Sequence, residues 1–178
     1  YGRRRVGKTF LIKETFSGKF AFQHAGVANV GKNEQLKSFW LSLNSYGYTG
    51  VKPSDWFEAF DALKKIVQLK RNKKKIVFID ELPWLDTPKS NFLPAFEHFW
   101  NSWACLRNDI LLIVCGSATS WIINKVFRNR GGLHNRVTCR IALQPFTLRE
   151  CEMYVHQRKL HFDRQQILES YMIFGGVP

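Results

Sequence analysis

A chain of 178 residues, 45% hydrophobic and 15% aromatic, can bury a sizeable core, which argues against a disordered protein. None of its apolar runs reaches the roughly 20 residues of a membrane-spanning helix. The formal net charge of +13 favours an anionic partner, either nucleotide phosphates or nucleic acid.

The chain opens on Tyr-Gly-Arg-Arg-Arg, with no initiator Met and no apolar stretch of a signal peptide behind it. It therefore reads as a fragment trimmed at its front end. A Gly-containing loop leads into a predicted helix over Lys8–Thr15, and Lys19–Ala25 reads as a short strand. Leu36, Phe39, Trp40 and Leu43 recur at helical spacing, as do Trp56, Phe60, Leu63 and Val67. Ser54, Asp55 and Glu58 suit the start of the second of these helices. Lys70, Arg71, Lys73, Lys74 and Lys75 form a basic cluster, read either as a solvated helix end and turn or as a nucleic-acid patch.

The run Lys75–Asp80 (KIVFID) is strongly apolar and ends in an acid, as expected of a parallel strand buried on both faces. Phe92, Phe96, Phe99, Trp100 and Trp103 make another helical stripe. Ile110–Cys115 (ILLIVC) predicts a second buried strand, Ser117–Val126 a helix, and Thr138–Leu143 a further strand closed by Pro145. Thr147 with Glu150 three residues on predicts a capped helix, and a last helix runs from about Asp163 to Phe174 before Gly175-Gly176. Alternating strands and helices predict an α/β fold with a mostly parallel sheet. The composition shifts near Pro145, which divides the chain into a core over 1–145 and the start of a small helical subdomain over 146–178.

Gly2-Arg3-Arg4-Arg5-Val6-Gly7-Lys8-Thr9 matches G-x-x-x-x-G-K-[ST] at each fixed position. Gly2 and Gly7 permit backbone angles that let successive N–H groups point at phosphate oxygens. The helix after them adds the positive end of its dipole. Lys8 is suited to the β- and γ-phosphates, and the Thr9 hydroxyl to Mg2+. This pattern predicts ATP and magnesium as ligands.

Asp80 and Glu81 close the KIVFID strand, at the edge where ligands bind in open α/β sheets. Asp80 is a candidate for the magnesium shell and Glu81 for the general base that activates water; the plainer reading is two acids in a surface loop. Ser117, after ILLIVC and Gly116, is either a γ-phosphate sensor or a helix N-cap. Arg136 is either a stabiliser of transition-state charge or one surface arginine among many. His24 and His134 have no partner pattern and read as structural or surface residues. The four cysteines (Cys105, Cys115, Cys139, Cys151) have no CxxC or Cys/His metal spacing. Buried free thiols at Cys105 and Cys115 fit a reducing, cytoplasmic setting.

GRRRVGKT, KIVFIDELPWL, VCGSATSWI, GGLHNRVTCRIALQPFTLREC and the terminal FGGVP together resemble the archaeal-type ATP-binding proteins, a branch of the signal-transduction ATPases related to the AAA+ group. The resemblance spans essentially the whole chain. It implies the three-layer P-loop NTPase fold followed by the start of a helical lid. It also implies a phosphate loop at Gly2–Thr9, magnesium and water-activating acids at Asp80 and Glu81, and a sensor at Ser117. Gly176 and Pro178 match the family's Gly-x-Pro motif, which abuts the nucleotide from the lid. Many relatives carry Tyr-Gly where this chain has His134-Asn135 before Arg136, and relatives usually continue into a winged-helix and a further C-terminal domain.

The expected function is magnesium-dependent ATP hydrolysis that drives a conformational switch, with a protein partner or a homo-oligomer open as well. The alternative is a nucleotide-gated nucleic-acid-binding protein. A kinase or nucleotidyl-transfer enzyme is a third class, but no pocket for an acceptor hydroxyl is evident in the sequence.

Overall fold

The run KIVFID becomes the middle strand of a small parallel sheet, and all six of its residues are buried. The computed structural model describes residues 1–128 and 131–177. In chain order, helix α1 (Lys8–Phe16) leads to strand β1 (Phe20–Ala25) and helices α2 (Lys32–Ser45) and α3 (Trp56–Leu69). Strand β2 (Lys75–Asp80) runs into the short helix α4 (Leu82–Leu85), followed by α5 (Phe92–Ser102) and strand β3 (Ile110–Val114). A single turn α6 (Thr119–Trp121) continues as a π-helix over Ile122–Phe127, and α7 (Leu148–Gln157) and α8 (Arg164–Phe174) complete the described elements.

The sheet order is β1-β2-β3, with both pairings parallel. Parallel neighbours need crossover connections, and the helices supply them. On one face Phe22, Val77 and Ile79 join the core built by α2, α3 and α5. Aromatic rings dominate that core: Phe39 meets Trp56 at 5.4 Å, Trp56 meets Phe92 at 4.9 Å and Phe60 meets Phe99 at 5.1 Å. On the other face Phe20 lies 5.8 Å from Phe78 and 6.3 Å from Phe16 of α1. On β2 the alternation of side chains divides the two helical layers, and on β1 an irregularity in the register between Phe20 and Phe22 sends those two rings to opposite faces.

The predicted caps form as local chemistry requires. Asp55 accepts from the Glu58 N–H at 2.9 Å, while the Glu58 carboxylate reaches back to Ser54. Thr147 with Glu150 closes a full capping box on α7, and beyond the predicted caps Asp163 with Gln166 closes another on α8.

Three expectations are corrected. Thr138–Leu143 is not a strand; the segment is largely exposed and one rung is its whole ladder among the described residues. The Tyr1 amino group donates to the Ile141 carbonyl at 2.8 Å and the Leu143 N–H to the Tyr1 carbonyl at 2.8 Å, the pattern of a single parallel bridge. β3 is only half-buried, with Leu111 42% exposed, because β2 is its one strand neighbour among the described residues. The helix expected over Ser117–Val126 starts at Thr119 and is π-wound from Ile122, closed by the Arg128 N–H on the Ile123 carbonyl. Its delayed start follows from Ser117, whose N–H and hydroxyl are both directed elsewhere.

Candidate functional site

The phosphate-loop segment lies at the end of the sheet where β2 terminates. Gly2 (φ 147°), Arg5 (φ 64°) and Gly7 (φ 86°) all hold positive φ, so the loop turns back on itself. At Gly2 the requirement is also steric: a Cβ there would lie 2.3 Å from the Leu143 carbonyl oxygen. Val6 is buried beneath the loop. The first N–H groups of α1 have no intrahelical acceptor and face the loop with the positive end of the helix dipole.

Lys8, the first residue of α1, is buried. Its ammonium donates to the carbonyls of Gly2 at 2.9 Å and Arg3 at 2.7 Å, bracing the loop from within. An ammonium carries three donors, so one remains for an anion. Arg3, Arg4 and Arg5 are exposed. The Arg4 guanidinium stacks 5.3 Å from the centre of the Trp84 ring, linking the loop to α4.

Thr9 and Asp80 meet across 71 positions of sequence: the Thr9 hydroxyl donates to Asp80 Oδ2 at 2.5 Å. Asp80 Oδ1 accepts from the Glu81 N–H at 2.9 Å, and the side chain is buried. Glu81 then adopts a left-handed conformation (φ 46°, ψ 45°), uncommon for a residue with a side chain. This turns its carboxylate toward the tip of β3, where Glu81 Oε2 accepts from the Ser117 hydroxyl at 3.1 Å and the Ser117 N–H at 3.2 Å. Ser117 therefore does not cap the following helix; Ala118 occupies the cap position without a side-chain bond. Cys115, at the end of β3, is buried, and burial followed by the nearby Asp80 charge pushes its thiol up to about 11. It stays protonated and is no nucleophile. Cys105, expected to be buried, is half-buried, with its thiol 3.3 Å from the Asn101 carbonyl.

Gly2–Thr9, Asp80, Glu81 and Ser117 thus gather at one end of the sheet. Arg136 is exposed, and among the described residues no ion pair or hydrogen bond links it to the acids. Pro178 lies outside the described residues. Its neighbour Gly176 packs on the Phe146 backbone, accepting from the Phe146 N–H at 2.8 Å. His24 is buried on β1, with Nδ1 2.9 Å from the Ser42 hydroxyl.

Sequence reasoning missed Trp84, Gly26 and Gln35, which surround the Glu81 turn. Gln35 carried a usable signal: it falls four residues before Phe39 on the apolar face of α2, yet it is polar and fully buried.

The residues present suit a hard divalent cation. A hydroxyl and a carboxylate oxygen stand side by side at Thr9 and Asp80, and Mg2+ typically takes one or two protein oxygens together with substrate phosphates and water. Among the described residues no group of three or more His, Cys, Asp or Glu is placed to hold a metal unaided.

No protein-family model matches the chain, and no curated protein does. Among solved structures it is similar to a Walker-type ATPase of Pyrococcus abyssi, with a TM-score of 0.69 at 16% sequence identity. The match covers 99% of this chain and 58% of that one, so the chain spans somewhat over half of its structural neighbour. The likeness establishes a fold shared with a Walker-type ATPase. No helix among the described residues is long and apolar enough to cross a membrane.

Proposed function

We propose that this chain is the core of a P-loop ATPase that binds ATP with magnesium at Gly2–Thr9 and hydrolyses its γ-phosphate. The observation that carries the reading is the convergence of the loop, the Thr9–Asp80 pair and the Glu81–Ser117 pair on one end of a parallel sheet. The shared fold with a Walker-type ATPase supports it. In this reading residues 1–145 are a three-layer core and residues 146–178 the start of a helical lid.

Each residue then has a task. The loop N–H groups and the start of α1 bind phosphate oxygens, and Lys8 adds a point charge at the β- and γ-phosphates. Thr9 and Asp80 hold the metal, which when bound neutralises phosphate charge and orients the γ-group. Glu81 accepts the proton of the attacking water. Ser117 holds that carboxylate, so a change at the γ-phosphate passes to β3 and the π-turned segment behind it as a switch.

Transfer to a hydroxyl acceptor is the competing chemistry. Two clefts among the described residues lie elsewhere, one between α7 and α8 and one beside Tyr48, Val51 and Phe57. The test is phosphate release from ATP with magnesium by the parent chain and by Glu81→Gln. Free phosphate from the parent, reduced by roughly two to four decades in the variant, is the expected result. An inactive parent, or equal rates in the two, would refute the reading.

A further inference from the structure

Glu81 holds a left-handed backbone conformation that is strained for a residue other than glycine, so its surroundings must enforce it. Part of the support is local. Asp80 Oδ1 accepts from the Glu81 N–H, the Leu82 N–H donates to the Cys115 carbonyl at 2.9 Å, and the Trp84 N–H donates to the Glu81 carbonyl at 3.0 Å. The remaining support comes from a helix remote in sequence.

Gln35 is fully buried on α2. Its Nε2 donates to the Trp84 carbonyl at 2.8 Å and the Val27 carbonyl at 2.6 Å, and its Oε1 accepts from the Val27 N–H at 3.1 Å. Turning the amide over would set its NH2 against an N–H and its oxygen against two carbonyls, so one orientation is enforced. A buried amide without partners is costly; here both amide hydrogens and the oxygen are engaged. The side chain therefore staples the segment after β1 to the turn after β2. The stapled segment in turn backs Glu81. The Gly26 N–H donates to the Asp80 carbonyl at 3.0 Å, and a Cβ at Gly26 would lie 2.7 Å from the Glu81 carbonyl oxygen. The ring of the stapled Trp84 also carries Arg4 of the phosphate loop.

We propose that Gln35 is a positioning residue for Glu81: by tying Trp84 to Val27 it holds the turn that aims the Glu81 carboxylate at the tip of β3. Its hydrogen bonds among the described residues reach none of the loop, the metal pair or Ser117. The proposal rests on the hydrolysis reading above.

The test compares the full chain with Gln35→Leu, using phosphate release for turnover, a fluorescent ATP analogue for affinity and far-UV circular dichroism for folding. The expected result is a folded variant with nucleotide affinity within about twofold of the parent and kcat lower by roughly ten- to hundredfold, the scale of a small misplacement of a reacting group. In a Glu81→Gln background the same substitution should change the residual rate less than about twofold, because the group it positions is already gone. Where Gln35→Leu does not fold, Gly26→Ala takes its place, pressing one methyl on the Glu81 carbonyl with the same expected signature. Parental kcat, an affinity loss as large as the kcat loss, or a full additional loss in the Glu81→Gln background would each overturn the role. If the parent hydrolyses ATP and depends on Glu81 while the Gln35 variant is silent, the positioning role alone falls. If the parent releases no phosphate, the hydrolysis reading falls and the positioning role with it.

Discussion

Glu81 and Ser117, 36 positions apart, share one carboxylate oxygen: Glu81 Oε2 accepts from both the backbone N–H and the hydroxyl of Ser117. Ser117→Ala removes the hydroxyl and leaves the N–H. A hydrogen bond to a charged group contributes about 1.5–3 kcal/mol, so turnover should fall by roughly tenfold or somewhat more while ATP affinity holds. Steady-state phosphate release across a range of ATP concentrations separates the two, and an unchanged kcat would free Glu81 from this anchor.

Lys8→Ala should weaken nucleotide binding by at least about tenfold. The substitution removes both the charge aimed at the phosphates and the two bonds that brace the Gly2 and Arg3 carbonyls. Titration with a fluorescent ATP analogue measures it; parental affinity would contradict the assignment of the loop.

Gly2→Ala should also weaken binding without touching a phosphate. Its φ of 147° lies where side chains are strained, and the new methyl would collide with the Leu143 carbonyl. The loop must then move off segment 141–143. Calorimetric titration of ATP with magnesium should report the loss, and equal affinity would show that this docking is dispensable.

His24 makes stability depend on pH. Burial lowers its imidazole from the ordinary 6.5 to about 4, and among the described residues Nε2 has no hydrogen-bond partner. Above pH 6.5 the ring is neutral in both folded and unfolded chains, and stability is at its full value. As pH falls from 6.5 toward 4 the unfolded chain takes up the proton first, so folding weakens by up to about 3 kcal/mol. Denaturant titrations at pH 7 and pH 5 should show this slope, and His24→Gln should flatten it. A parent with no slope in that window would contradict the assignment.

Nucleic-acid binding, if driven by the +13 charge, should be sequence-tolerant and fall steeply with salt. Fluorescence anisotropy with two unrelated oligonucleotides at rising salt checks this. Tight, base-selective binding that persists at high salt would require a dedicated reading surface.

Much of the architecture was legible because it is written locally. The glycine-containing loop motif needs eight consecutive residues; β2 shows as an apolar run ending in an acid; α2, α3 and α5 show by helical periodicity, α7 by its cap and α8 by the Gly175-Gly176 pair that ends it. Each signal depends on neighbours within a few positions, where backbone sterics and side-chain spacing act directly. Thr138–Leu143 misled because β-branched and apolar residues predict extended backbone, whereas a strand also needs a partner along its length; among the described residues Tyr1 alone supplies a rung.

The tertiary structure alone decided which groups face one another. Thr9 meets Asp80 across 71 positions, Ser117 meets Glu81 across 36 and Gln35 meets Trp84 across 49. None of these pairings has a periodicity, because each depends on how crossovers stack helices on a twisted sheet and where each strand ends. The sequence by itself determined the chemistry available: a glycine-containing loop with a lysine, two acids and a hydroxyl. The packing determined that Glu81 turns left-handed toward Ser117, that Arg136 stays exposed, and that a buried amide on α2 bonds the turn after β2. A conformation costly in isolation persists only where contacts distant in sequence enforce it.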